Sequence, residues 1–266
     1  MADTQSPSYD AKAYAARRPT YTPKLQSLIL DYHQGNRNLA VDVGTGTGQL
    51  ATLLSGDFKV IHAYDPLPEM IEHAKPNPNV IYGISKAEDL PEKDGTVDLI
   101  VAAEAAHWFD PKAFEAEVTR LLRPGGTVAI LGYSWMHILG HPSLKEAVKE
   151  FGLGVIAPYW ASGREILDDH YSVYTFPSLT GLSRTVWEGK EDETGFMGPQ
   201  TLTPSTLGDF LRTWSSYKKW KELNPEEKED PVDQVVERFL KAGVGKDESF
   251  DVAWDQVLVL ARKPLE

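Results

Sequence analysis

Three glycines at alternate positions, Gly44, Gly46 and Gly48, follow directly on the apolar run Leu39-Ala40-Val41-Asp42-Val43, and a helical pattern opens at Leu50. A short buried strand, a tight turn and a helix are expected here. Glycine reaches positive φ without strain, and its missing Cβ lets a ligand lie close to the backbone. Asp65 ends the next apolar run, 58–64, where an acid could bind a ribose. Together these residues suit an adenosyl-type ligand. A dinucleotide fits less well, because its fingerprint needs a third glycine three places after the second, and position 49 is Gln49. Asp42, two residues before Gly44, would repel a diphosphate but could bond an ammonium or order the loop.

A second group of residues could act on an acceptor. Val97-Asp98-Leu99-Ile100-Val101-Ala102-Ala103 is continuously apolar apart from Asp98, as a strand buried on both faces should be, and it runs into Glu104-Ala105-Ala106-His107-Trp108. In an open α/β sheet, ligands sit beyond the carboxyl ends of the strands. His107 is therefore the candidate catalytic residue, acting as donor or base; a histidine satisfied in the core is the plainer reading. Tyr133 ends a fifth strand in the same way, and Trp160, Arg164 and Trp214 lie in aromatic-rich segments downstream. Arg212 points away from the apolar stripe of its helix, toward either solvent or the cleft. An arginine at a cleft offers a planar, bidentate grip on a carboxylate.

The run Asp42 to Gly48 resembles motif I of the class I S-adenosylmethionine-dependent methyltransferases, with G-x-G-x-G spacing. The resemblance implies a doubly wound, mostly parallel, Rossmann-like α/β sheet and S-adenosyl-L-methionine as cofactor. It sets Asp42, Gly44, Gly46 and Gly48 against the methionine moiety and gives the ribose hydroxyls to Asp65. Met70 would pack near the adenine, and Glu104 would border the cofactor. Ser85-Lys86-Ala87-Glu88-Asp89-Leu90-Pro91 resembles the D-A-x-x-L-P loop that edges the adenine, with Lys86 at the usual aspartate position. Adenine contacts then pass to the Ala87 backbone or to Glu88. Tyr14-Ala15-Ala16-Arg17-Arg18-Pro19-Thr20-Tyr21 resembles the Y-x-x-x-R-P-x-Y segment that caps the cofactor cleft, which implies that Tyr14 borders the cofactor and that Arg18 pairs with its carboxylate.

Leu122-Arg123-Pro124-Gly125-Gly126-Thr127 is a turn typical of the same class. Ala106-His107-Trp108-Phe109-Asp110, Ala157-Pro158-Tyr159-Trp160 and Phe210-Leu211-Arg212-Thr213-Trp214-Ser215-Ser216-Tyr217 narrow the likeness to the trans-aconitate methyltransferase group. That resemblance implies O-methylation of a small polycarboxylic acid, with Arg212 and Arg164 on substrate carboxylates and His107, Trp108, Tyr133, Trp160 and Trp214 around the acceptor. A carboxylate nucleophile is ionised at neutral pH and needs no base, whereas a hydroxyl or amine acceptor would use His107 as one. A cofactor-binding protein without catalysis, or a nicotinamide oxidoreductase, fits the glycine spacing and the His-Trp and Arg-Thr-Trp runs less well.

The elements that must position these residues are legible in outline. Helical patterns cover 23–32, 50–54, 66–74, 113–122, 142–151, 203–223 and 232–242. Strands are expected at 39–43, 58–64, 80–84, 97–103, 127–133, around 183–188 and at 250–262. Residues 1–8 read as a disordered tail and 9–266 as one domain. Its parts are an N-terminal cap (9–35), a cofactor core (36–133), an inserted helical, aromatic substrate lid (134–223) and a closing helix and strand (224–266).

The chain has 266 residues, 41% hydrophobic and 25% charged, within the ordinary globular range. A formal charge of −12 argues against broad capture of nucleic acid or anionic membrane, yet leaves room for a local basic pocket. With no cysteine, disulfides, thiolate metal sites and cysteine nucleophiles are excluded, and no metal is expected. A cytosolic enzyme with a small-molecule acceptor is the expectation, monomer or homodimer left open.

Overall fold

The computed structural model describes residues 21–190 and 195–266. Tyr14 and Arg18 fall outside them. The first described helix, α1 (Pro23–Tyr32), starts on a proline at N1, where a missing N–H costs nothing. It buries Leu25 and Ile29, four residues apart on one face.

Strand β1 (Leu39–Val43) then leads through the glycine turn into α2 (Gln49–Leu54). Strand β2 (Val60–Asp65), helix α3 (Pro68–Glu72), strand β3 (Val80–Ile84) and strand β4 (Val97–Ala103) follow. A 3-10 turn, Ala106–Trp108, precedes α4 (Pro111–Leu121), whose N-cap Asp110 accepts from Ala113 N. Strand β5 (Leu122–Ile138) continues five residues beyond the expected end at Tyr133.

Among the described residues, eight strands form one sheet in the order β3-β2-β1-β4-β5-β8-β6, with β7 on β8. Strands β1 to β5 are mutually parallel. Strand β8 (Phe250–Arg262) runs antiparallel to β5 and to β6 (Thr180–Trp187), and β7 (Gln200–Leu202) also pairs with it antiparallel. Successive strand residues enter opposite faces. Leu99 and Val101 join one core cluster, with α1 and α2, while Ile100 and Ala102 join the other, with Phe114 and Val118 of α4. The expected doubly wound, mostly parallel sheet is what forms.

Between β5 and β6 lie α5 (Pro142–Glu150), a π-helical turn (Phe151–Val155), a 3-10 turn (Ala157–Tyr159) and α6 (Arg164–Asp168). After β7, α7 (Pro204–Leu211) opens on a capping box between Thr203 and Thr206. The single helix expected over 203–223 is two. Thr213 turns its hydroxyl back to the carbonyl of Phe210 at 2.6 Å, Trp214 is extended, and α8 (Ser215–Leu223) starts afresh. Helix α9 (Pro231–Lys241) is capped by Asp230 and packs on α7. No helix among the described residues is long and apolar enough to cross a membrane.

Candidate active site

Strand order reverses between β1 and β4, so the loops after these two strands flank a crevice at the sheet's carboxyl edge. Gly44, Gly46 and Gly48 all have positive φ, +68°, +56° and +86°. At Gly44 a Cβ would lie 2.5 Å from that of Ala105, so only glycine lets the β1 loop sit against the turn after β4. At Gly46 a Cβ would meet nothing nearer than Gln49 Oε1 at 4.0 Å, leaving that backbone face open.

Asp42 is fully buried, and its Oδ2 accepts from the Thr45 hydroxyl at 2.6 Å and from Ala51 N at 3.1 Å. Its Oδ1 and the Thr47 hydroxyl have no partner among the described residues. Burial pushes the Asp42 carboxyl up to about 6 against those two hydrogen bonds. Asp65 at the tip of β2 accepts from Gly46 N at 2.9 Å and Leu67 N at 3.0 Å, which ties the glycine loop to the strand. Burial raises this carboxyl too, and the two backbone donors oppose the shift.

Two orphaned buried oxygens, an open glycine face and a tethered acid fit an adenosyl amino acid, whose ammonium and hydroxyls are donors. Asp42, Gly44, Gly46 and Gly48 could border its amino-acid end and Asp65 its ribose. Met70 is buried on α3, beyond the tip of β2. Ala87 is buried, and Glu88 Oε1 accepts from Asp110 N at 2.9 Å, joining the 85–89 loop to the start of α4.

Beyond the end of β4 is a cavity of about 70 Å³. Its polar lining includes Glu104, His107 and Arg164, and its aromatic walls include Trp108, Tyr133, Trp160, Trp214 and Trp254. Glu104 has a φ of +54°, and its carboxylate accepts from Tyr133 N. The Arg164 guanidinium stacks on two indoles, 4.7 Å from the Trp135 ring centre and 4.5 Å from that of Trp160. Its Nε and Nη2 share Oδ1 of Asp168, at 3.0 and 2.9 Å. Its Nη1 has no hydrogen-bond partner among the described residues. His107 Nδ1 lies 3.2 Å from the Tyr171 hydroxyl.

Residues 41–130 match the family model described as a methyltransferase domain. A Dictyostelium discoideum protein described as a methyltransferase is 29% identical, with 95% of this chain and 93% of that one aligned. The solved structure of a protein from Anaeromyxobacter dehalogenans, described as a type II methyltransferase, superposes with a TM-score of 0.76 at 25% identity. That match covers 94% of this chain and 99% of the other. The fold is also that of a Haemonchus contortus phosphoethanolamine N-methyltransferase solved with S-adenosyl-L-methionine, at a TM-score of 0.51 and 17% identity, covering 96% and 56%. The chain is an S-adenosylmethionine-dependent methyltransferase.

In this methyltransferase the residues expected around the acceptor do not all meet. His107, Trp108, Tyr133, Trp160, Arg164 and Trp214 line one cavity, with Glu104 beside them. Arg212 does not line it, a correction to the expected carboxylate grip. Its guanidinium turns to α9, 3.5 Å from Asp230 and 2.5 Å from Asp233, while the Tyr217 hydroxyl donates to Asp230 at 2.7 Å. Arg212 thus braces the α7–α8 break against α9, and the cavity receives its neighbour Trp214 instead.

Four residues of the site carry no signal in the sequence pattern. Trp254 lies in β8 and reaches the cavity because that strand pairs antiparallel with β5, Met136 opposite Trp254. Trp135 sits where the β5–β8 register shifts, between Tyr133 and Met136. Leu167 and Tyr171 come from the segment between β5 and β6, and Tyr171 is fully buried with a left-handed backbone.

Proposed function

We propose that this methyltransferase transfers a methyl group to the carboxylate of a small carboxylic acid held by Arg164. The observation that carries this reading is a guanidinium in the cavity wall, stacked on Trp135 and Trp160 and steadied by Asp168. A planar donor fixed on three sides is ready to receive a carboxylate with little further ordering. S-adenosylmethionine, when bound, supplies a methyl group activated as a sulfonium. The chain's residues then have to align the acceptor oxygen and exclude water. Trp108, Trp160 and Trp214 form apolar walls for this, and Arg164 and His107 can donate hydrogen bonds to the acid. A carboxylate is ionised at neutral pH, so no residue needs to remove a proton. Asp65 would hold the ribose, and Asp42 and the Gly44–Gly48 loop the amino-acid end of the cofactor.

With Arg212 directed to α9, Arg164 is the only arginine or lysine among the described residues lining this cavity. That favours an acceptor presenting one carboxylate inside the aromatic box. A polycarboxylate such as trans-aconitate then fits with its further carboxylates outside it. A hydroxyl or amine acceptor is the second reading. Glu104 on the same wall favours it by offering a counter-charge to an ammonium, and His107 would serve as base. The test is methyl transfer across a panel of mono-, di- and tricarboxylic acids beside phenols and amines. Turnover confined to acids supports the proposal; turnover confined to phenols or amines replaces it with the second reading.

A further inference from the structure

The 3-10 turn that carries His107 is built into the lid at three points. The Tyr174 hydroxyl donates to the carbonyl of Ala106 at 2.7 Å. Gly163, at φ +98°, lies so close that a Cβ would collide with the carbonyl of His107. The third point is the Tyr171 hydroxyl at His107 Nδ1, with the two rings stacked 6.4 Å apart.

The seat of Tyr171 is itself constructed. Gly132 on β5 leaves the space its phenol occupies: a Cβ there would be 2.8 Å from the hydroxyl and 2.9 Å from a ring carbon. His170 and Tyr171 both take left-handed backbone, φ +52° and +56°, which disfavours any residue with a Cβ. Arg184 Nη2 holds the turn by donating to the carbonyls of Tyr171 and Tyr174, at 3.2 and 2.9 Å. A strained backbone, a glycine-cut niche and an arginine from β6 all serve to place one hydroxyl.

That hydroxyl is buried, and its only hydrogen-bond partner among the described residues is His107 Nδ1. A buried O–H without an acceptor costs more than a histidine nitrogen satisfied as an acceptor, so the hydroxyl donates and Nδ1 accepts. Burial, then the neighbouring Glu104, hold the phenol well above its ordinary range, so it keeps its proton. We propose that Tyr171 is a positioning residue that fixes His107 as a neutral ring protonated on Nε2, a hydrogen-bond donor toward the acceptor and not a base. The assignment rests on reading the cavity as the acceptor site. Among the described residues, the charged or titratable groups that line the cavity beside His107 or bond its ring are Glu104 from the end of β4, Arg164 from α6 and Tyr171 itself.

The test is ¹⁵N NMR of the histidine rings in the full chain, wild type and Tyr171→Phe, with His107→Gln to assign the signal. The wild type should show pyrrole-type Nε2 and pyridine-type Nδ1 at pH 7.5. In Tyr171→Phe the two nitrogens should move toward a tautomer average, and the ring should take its second proton at a higher pH. Acceptor kcat/KM should fall about 2- to 10-fold, the worth of one hydrogen bond, with an acid limb absent from the wild type. A purely structural role would leave the tautomer unchanged. A wild-type ring protonated on Nδ1, or a variant spectrum identical to wild type, overturns the proposal. Should Tyr171→Phe not fold, the wild-type spectrum decides alone. The spectrum needs no acceptor, so an Nε2–H ring without turnover of acids would sink the carboxylate reading and leave this one standing.

Discussion

Replacing Arg164 with alanine removes the one arginine among the described residues that lines the cavity proposed to hold the acceptor. A charge-assisted hydrogen bond to a carboxylate contributes about 1.5–3 kcal/mol, which corresponds to roughly 10- to 150-fold in kcat/KM for the acceptor. The substitution also removes two indole stacks and the Asp168 pair, costing about 1–2 kcal/mol of folding stability. Stability and catalysis must therefore be read separately. Arg212→Ala is the matched control. It breaks pairs with Asp230 and Asp233, but the Asp233 side chain is 72% exposed and well screened, so the loss should be about 1 kcal/mol. Steady-state kinetics with each substrate varied in turn, beside thermal unfolding, separates the two cases. Arg164→Ala should raise the acceptor KM and leave the cofactor KM within about twofold, and Arg212→Ala should shift the unfolding temperature with neither KM changed selectively. The reverse pattern, a selective acceptor defect in Arg212→Ala with Arg164→Ala unaffected, would refute the assignment.

Three further outcomes follow from the same geometry. Asp65→Ala should weaken S-adenosylmethionine binding by about 1–3 kcal/mol in calorimetry, because it removes the proposed ribose acceptor and the tether to Gly46 N; unchanged affinity would remove Asp65 from the site. Asp42 is pushed from 3.8 up to about 6 in the folded chain, so the native state holds this proton longer than the unfolded one. Its contribution to stability therefore falls as pH rises from about 4 to about 6 and is constant above. Asn at this position should stabilise the cofactor-free chain by about 1–3 kcal/mol at pH 7 and by little at pH 4, in denaturant titrations at both pH values; a pH-independent difference would contradict this. His107→Gln keeps a donor without a titratable group, so with acids kcat should stay within about tenfold of wild type and flat from about pH 6 to 9; a loss of about 10²–10⁴-fold would mark a base.

The sheet was legible because its strands announce themselves. The run 97–103 is apolar on both faces, and the alternating glycines at 44, 46 and 48 all prove to be left-handed. Strand 250–262 and helix 23–32 also have their expected bounds. Local signals failed where tertiary contacts decide. Thr203 announced the start of α7, but nothing at 212–214 announced its end, which depends on the Thr213 hydroxyl bonding back to Phe210 and on Trp214 turning into the cavity. Arg212 looked available because its partners, Asp230 and Asp233, lie 18 and 21 positions later, at the start of a helix whose packing on α7 no local pattern shows. Tyr171 was invisible because its importance comes from a left-handed backbone and from the space left by Gly132, thirty-nine positions earlier. Residue types suggested a cofactor edge; the cavity beyond β4 had to be assembled from five separate parts of the chain.

The central claim, that the methyl group goes to a carboxylate oxygen, is tested most directly by the alkali lability of the product. The enzyme is incubated with methyl-labelled S-adenosylmethionine and the acids it turns over, and the product is treated with mild base. A methyl ester releases the label as methanol, and this is the result expected, with little product formed by Arg164→Ala. Label that survives base, as in a methyl ether or an N-methyl group, would contradict the account.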